Sequence, residues 1–110
     1  MQTDAILVEE AIKRVANNKK LFHRLLGNFS GRTMLGEISK AVDNKDFDEA
    51  AKKCHALRGL AANLAMHPLA KAAFRLEDHF KAEEVPEGWL NEMNEIIAAV
   101  EIAISEILAE

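Results

Sequence analysis

The sequence predicts an all-α protein: an antiparallel four-helix bundle with a short extra helix at the N-terminus. Only two of its 110 residues are proline and five are glycine, so few residues interrupt helices. Apolar residues also recur at helical spacing in long segments, and short polar connections separate these segments. Short connections are typical of helices that run antiparallel to their neighbours. The length favours a single domain spanning residues 1–110.

The N-terminal half contains two predicted helical segments. The first covers residues 3–16, with Thr3 as its N-cap. The second covers residues 18–43, and its apolar positions are compatible with one long helix. The pair Ser30-Gly31 weakens that helix and favours a kink or a break there.

Three further helices complete the prediction. Asp46, followed three residues later by a glutamate, has the spacing of a capping box and begins the third helix, which runs to about residue 66. Pro68 suits the first turn of the fourth helix, which ends near residue 82. Pro86 similarly suits the start of the last helix, whose apolar residues have heptad-like spacing.

Charge and composition exclude several classes of function. The net charge is −4, and residues 82–110 hold eight glutamates without one Lys or Arg, which argues against a nucleic-acid binder. No apolar run approaches the roughly 20 residues that span a bilayer, so membrane insertion is not expected. The N-terminus lacks the basic region of a signal peptide. The single cysteine, Cys54, excludes an internal disulfide and indicates a cytoplasmic location. No cluster has metal-ligand spacing, so no metal site is predicted.

His55 is the candidate reactive residue of the third helix. On a helical wheel it lies about 130° from the middle of the apolar stripe, so its side chain should be exposed. The stripe consists of Ala50, Cys54, Leu57, Ala61 and Leu64.

The surroundings of His55 suit a dianionic group on the imidazole and a docked protein. Gly59 lies one turn away, although glycine inside a helix costs about 1 kcal/mol relative to alanine. Arg58 and Lys52 flank the imidazole and are placed to stabilise a dianionic group on it. A neutral imidazole is a competent nucleophile near neutral pH. No carboxylate lies at the spacing that would make His55 the base of a catalytic triad, so a partner must complete any chemistry. The alternative is an exposed histidine without a function.

These residues resemble a known family. The segment His55-Ala56-Leu57-Arg58-Gly59 is similar to the HxLKG signature of histidine-containing phosphotransfer (HPt) domains. The similarity covers about residues 18–80 and includes Ala61, Ala62, Asn63 and Leu64, the segment Leu25-Leu26-x-x-Phe29, Asp46, Leu69 and Leu76-Glu77.

The resemblance implies a phosphorelay carrier of two-component signal transduction. His55 would accept a phosphoryl group from the aspartyl phosphate of a receiver domain and pass it to another receiver aspartate, as a phosphoprotein without kinase activity of its own. The implied partners are response-regulator receiver domains and hybrid sensor histidine kinases. Mg²⁺ would belong to the receiver, so no cofactor is assigned to this chain. Two positions depart from the family: Arg58 replaces the usual lysine, and Ala65 stands where glycine is often found.

The predicted site therefore has three parts. His55 is the phosphoryl acceptor, and Arg58 and Lys52 support the phosphoryl group. The predicted docking surface consists of Gly59, Ala62, Ala51 and Asn63. The alternative interpretation is a helical adaptor that docks a signalling partner without carrying phosphate. A homodimeric scaffold through the last helix is a third interpretation, because Ile102 lies off its apolar stripe, although a monomer is favoured over a dimer.

Overall fold

A computed structural model describes residues 4–110, and this range contains six α-helices. They are α1 (Val8–Arg14), α2 (Lys19–Gly27), α3 (Gly31–Asp43), α4 (Phe47–Asn63), α5 (His67–Lys81) and α6 (Trp89–Leu108). The all-α class is therefore confirmed. The predicted N-cap Thr3 lies outside the described residues.

The bundle is a closed ring of four helices. α3 packs against α4, α4 against α5, α5 against α6, and α6 returns to α3. The connections between consecutive members are short, which is the arrangement of an antiparallel bundle. α2 also packs on α6, and α1 packs on α2, so two helices precede the ring instead of the one that was predicted.

The predicted segment 18–43 is broken into α2 and α3. Gly31 begins α3 and is buried because the ring of Phe29 folds back over it. A Cβ atom at position 31 would overlap that ring, so the glycine lets the ring of Phe29 pack directly against the backbone here. The break near Ser30-Gly31 is confirmed and the single long helix was wrong.

α1 is shorter than the predicted helix over residues 3–16. The backbone at Leu7 is extended, with φ −86° and ψ 90°, and its N–H donates to the carbonyl of Ala65 at 3.0 Å. Ile6, the residue before Leu7, is completely buried. The segment before α1 therefore packs against the turn between α4 and α5 instead of extending the helix.

Three helices of the ring, α3, α4 and α5, each end in the same type of turn. After α4 the N–H of Met66 donates to the carbonyl of Ala61 at 2.8 Å, which satisfies a carbonyl that the helix leaves free. Ala65 has φ +54° in this turn, and Lys45 and Glu83 have φ +57° in the turns after α3 and α5. Glycine is the usual residue at such positions. The turn at Ala65 thus forms without the family's glycine, and α4 ends at Asn63 instead of residue 66.

Asp46 is the N-cap of α4, as predicted, because its Oδ1 accepts from the N–H of Glu49 at 3.2 Å. The reciprocal half of the capping box is not formed, since the carboxylate of Glu49 pairs with Lys53 instead, at 3.5 Å. α6 begins at Trp89 instead of Pro86, after Gly88 with φ +75°.

α4 is anchored by the apolar stripe that the wheel identified. Its members Ala50, Cys54, Leu57 and Ala61 are each 0% exposed. The other side of α4, which carries His55, remains at the surface beside α5. Within residues 4–110, no helix is both long and apolar enough to span a bilayer.

Candidate functional site

His55 lies in the middle of α4, and 60% of its side chain is exposed, as the wheel predicted. Its Nδ1 atom is 3.2 Å from Oε1 and 3.1 Å from Oε2 of Glu77. Nη2 of Arg58 also approaches Nδ1, at 2.9 Å. One edge of the imidazole therefore meets both a carboxylate and a guanidinium. The described residues make no hydrogen bond to the other ring nitrogen, Nε2.

Glu77 is the functional residue that helical spacing missed. It lies on α5, 22 residues after His55, so no pattern within α4 indicates it. The search for a carboxylate at triad spacing from His55 therefore missed Glu77, whose contact is made between two helices. The signal that was available was the pair Leu76-Glu77 in the family resemblance, which gave the position but no role.

Glu77 is the one charged residue that is buried in the described part of the chain, and only 7% of its side chain is exposed. Burial by itself would raise the pKa of Glu77, but hydrogen bonds from Lys81 and His55, together with their charges, hold that pKa below its usual value. Lys81 Nζ is 3.0 Å from Oε2, and Arg58 Nε is 3.8 Å from Oε1. Glu77 is therefore ionised at neutral pH.

The ionised carboxylate determines which nitrogen of His55 holds the proton. A carboxylate only accepts hydrogen bonds, so the contact with Glu77 requires a proton on Nδ1. Arg58 only donates and would need the other tautomer. The carboxylate presents two oxygens and is shielded from water, so we assign the proton to Nδ1. Nε2 then carries the lone pair, on a side chain that is 60% exposed.

Arg58 lies along a neighbouring aromatic ring. Its Cζ atom is 5.2 Å from the ring centroid of Phe74, within the range of a cation–π contact. Phe74 is on α5, one turn before Glu77, and is 48% exposed. The Arg58 side chain is 32% exposed, and its charge lies beside the imidazole.

The predicted docking residues fall into two groups. Gly59 and Asn63 are exposed and Ala62 is half-buried, so these three form a surface one to two turns beyond His55. A Cβ atom added at Gly59 would have no neighbour within 4 Å, which shows how open this surface is. Ala51 departs from the expectation, because it is only 6% exposed at the α5 side of the helix and offers little area to a partner.

Lys52 stands at the edge of an open depression of about 420 Å³. The depression is lined by Asp48, Ala51, Lys52, His55, Glu77 and Lys81. Lys52 is exposed and makes no ion pair with the described residues, so its ammonium group is available to an anion near His55.

Other candidate groups lie apart from this site. Cys54 is buried, and burial together with the charge of Glu77 raises the pKa of its thiol to about 12, so it remains protonated. His67 contacts Glu10 at 2.7 Å and His79 contacts Glu84 at 3.1 Å. Among residues 4–110, no group of three or more His, Cys, Asp or Glu side chains is arranged to hold a metal ion.

Comparison with known families agrees with the ring of helices. A family model described as Hpt domain matches residues 29–109, which include α3 to α6 and the whole site around His55. α1 and α2 precede the matched region. No curated protein and no solved structure matches the chain significantly.

Proposed function

Because the chain belongs to the Hpt domain family, which implies phosphotransfer in two-component signalling, we propose that it is a phosphorelay carrier whose acceptor is Nε2 of His55. The observation that carries this proposal is the contact between Nδ1 and the buried carboxylate of Glu77, at 3.1 and 3.2 Å. That contact holds the proton on Nδ1 and leaves a lone pair on the solvent-facing nitrogen. An exposed histidine without a function would not need a buried carboxylate beside it.

The transfer step balances without a proton donor. The lone pair of Nε2 attacks the phosphorus of a receiver's aspartyl phosphate, the P–N bond forms, and the bond from phosphorus to the aspartyl oxygen breaks. The aspartate leaves as a carboxylate. The imidazole becomes a phosphoimidazolium whose positive charge is shared through Nδ1–H with the carboxylate of Glu77. The reverse step, with another receiver's aspartate as nucleophile, returns the imidazole to its starting form.

The cations around His55 support this chemistry in different ways. Arg58 holds its charge beside the ring, and Lys52 offers an unpaired ammonium at the rim of the depression. Either group stabilises the negative phosphoryl oxygens as they approach Nε2. Gly59 and Asn63 leave the surface beyond the imidazole open to the partner's backbone.

The partner supplies what the described residues lack. The proposal assigns the aspartate and its Mg²⁺ to a receiver domain, of a response regulator or of a hybrid sensor kinase, and assigns no cofactor to this chain. The chain acts as a carrier and not as a kinase. A cytoplasmic location is part of the proposal and is supported by the lone cysteine, which has no partner for a disulfide within the chain.

The test is phosphoryl transfer from receiver domains. Purified receivers are phosphorylated with radiolabelled acetyl phosphate and Mg²⁺, freed of donor and mixed with the protein. Label should appear on the wild type in acid-labile, base-stable form, and His55→Ala should abolish it. His79→Ala is the matched control, because His79 is also a half-exposed histidine on a carboxylate and should not affect labelling.

The same experiment separates the proposal from the adaptor interpretation. Labelling of His55→Ala at the wild-type level would overturn the assignment of the acceptor. A receiver that binds the wild type without ever transferring label would instead favour a docking protein that carries no phosphate.

A further inference from the structure

Phe74 is a large apolar side chain that the fold does not bury. It lies on α5 and is 48% exposed, whereas Leu76, Phe80 and most other apolar side chains of the helix are in the core. The guanidinium of Arg58 lies over the ring, 5.2 Å from its centroid, and the rest of the side chain faces solvent. The ring therefore belongs to the neighbourhood of His55 and not to the core.

We propose that Phe74 is a positioning residue that holds the guanidinium of Arg58 beside His55. This inference rests on the proposed function, since it concerns how the acceptor histidine is supported. Three parts of the arginine make three different contacts: Nη2 meets Nδ1 of His55 at 2.9 Å, Nε is 3.8 Å from Glu77, and Cζ lies over the ring of Phe74, 5.2 Å from its centroid. Because Nδ1 carries the proton and cannot accept from Nη2, only the contact with Glu77 would remain without the ring to orient a long and flexible side chain.

The residue type at position 58 fits this role. A guanidinium is planar, so it can stack on a ring with its face while its edge forms polar contacts. A lysine ammonium is a point charge on a flexible stem and cannot make the same set of contacts. The ring of Phe74 therefore suits an arginine better than a lysine at position 58, which gives a physical reason for arginine where the family's usual residue is lysine.

The position of the charge matters because Glu77 and Arg58 meet the same nitrogen. The carboxylate holds the proton on Nδ1, so the arginine is not needed there as a hydrogen-bond donor. Its useful contribution is charge next to the imidazole, where a phosphoryl group arrives on Nε2. Phe74 keeps that charge in place while the site waits for a partner.

The test uses a donor that needs no docking. Potassium phosphoramidate phosphorylates histidines directly, so the rate of labelling of His55 reports the chemistry of the site without a receiver. Phe74→Ala should slow this reaction about fivefold, the equivalent of one half-exposed cation–π contact. Phe74→Leu should be slowed equally, since it keeps apolar bulk but loses the π face, and Phe74→Tyr should retain the wild-type rate. Leu25→Ala on α2 is the control for loss of an exposed apolar side chain.

Two further measurements show that Phe74 acts through Arg58. In an Arg58→Ala background, Phe74→Ala should have no additional effect on the rate. Long-range ¹H–¹⁵N spectra should show a changed Nδ1 shift of His55 in Phe74→Ala and the wild-type shift in Phe74→Tyr. Circular dichroism confirms that each variant is folded.

The inference fails if Phe74→Leu reacts with phosphoramidate at the wild-type rate, or if the effects of Phe74→Ala and Arg58→Ala multiply. In either case the ring does not position the arginine. These outcomes are separate from a failure of the proposed function, in which the wild type reacts with phosphoramidate but exchanges no phosphoryl group with any receiver.

Discussion

The carboxylate of Glu77 gives the most specific prediction, through the substitution Glu77→Gln. The amide has nearly the same shape, and its oxygen still accepts a hydrogen bond from Nδ1–H of His55. What is lost is the negative charge, and with it the charge-assisted contacts to His55, Lys81 and Arg58. The variant therefore isolates the charge of Glu77 from its role as an acceptor.

The size of the effect follows from the geometry. A hydrogen bond to a charged partner contributes about 1.5–3 kcal/mol, against about 0.5–1.5 for a neutral pair. Glu77 is nearly buried, but the His55 side chain is 60% exposed, so water screens part of this difference. We therefore expect the lower end, about 1 kcal/mol, which corresponds to about a fivefold loss in the stability of the phosphoimidazolium.

The assay measures forward and reverse transfer between the protein and one phosphorylated receiver, which gives the equilibrium constant directly. Glu77→Gln should lower the equilibrium constant for phosphorylation of the carrier about fivefold, while Glu77→Leu, which removes the hydrogen-bond acceptor as well, should lower it further. Glu84→Gln is the control, because Glu84 makes the same contact with His79 and should change nothing. An equilibrium constant for Glu77→Gln equal to that of the wild type would refute the role assigned to the charge.

Three other predictions concern the surface, a turn and pH. Gly59→Leu should slow transfer from a receiver at least tenfold, while the free energy of unfolding rises by up to about 1 kcal/mol. Gly36→Leu, at an equally open helical glycine, should stabilise the protein without slowing transfer. Transfer by Gly59→Leu at the wild-type rate would contradict the proposed docking surface. Lys45→Gly should raise the free energy of unfolding by up to about 1 kcal/mol because Lys45 has φ +57°. The control Lys40→Gly, inside α3, should lower that free energy by a similar amount. If chemical denaturation shows the same loss of stability for both variants, the turn carries no strain. The pKa of Glu77 is lower in the folded protein, so the unfolded chain binds more protons near and below the ordinary pKa of 4.5. The free energy of unfolding should therefore fall as pH drops through that region, and it should fall less in Glu77→Gln. Identical pH profiles for the two proteins would show that Glu77 is not coupled to folding.

The exposed position of His55 could be predicted from the sequence because it depends on one helix alone. The stripe from Ala50 to Leu64 fixes which side of α4 is buried, and His55 lies away from it by simple rotation. The same reasoning placed Gly59 and Asn63 at the surface. It failed at Ala51, because a wheel does not show how far the neighbouring α5 reaches over the edge of the stripe.

The rest of the site depends on the register between two helices, which no wheel contains. Glu77 and Phe74 lie opposite His55 and Arg58 only because the turn at residues 64–66 sets where α5 starts. Periodicity within α5 indicates merely that Glu77 falls next to Leu76 at the edge of the core. Its contact with His55 depends on the tertiary packing of α4 and α5, and so does the cation–π contact of Arg58.

The turn after α4 is therefore as much a part of the site as the residues that contact His55. A shift of one residue in α5 would rotate Glu77 by about 100° and remove the carboxylate from Nδ1. The turn is fixed from both sides, by the hydrogen bond from Met66 to Ala61 and by the bond from Leu7 to the carbonyl of Ala65. The second bond comes from the segment before α1, outside the region that matches the family. This N-terminal segment, which lies outside the matched ring, thereby supports the register on which the tautomer of His55 depends.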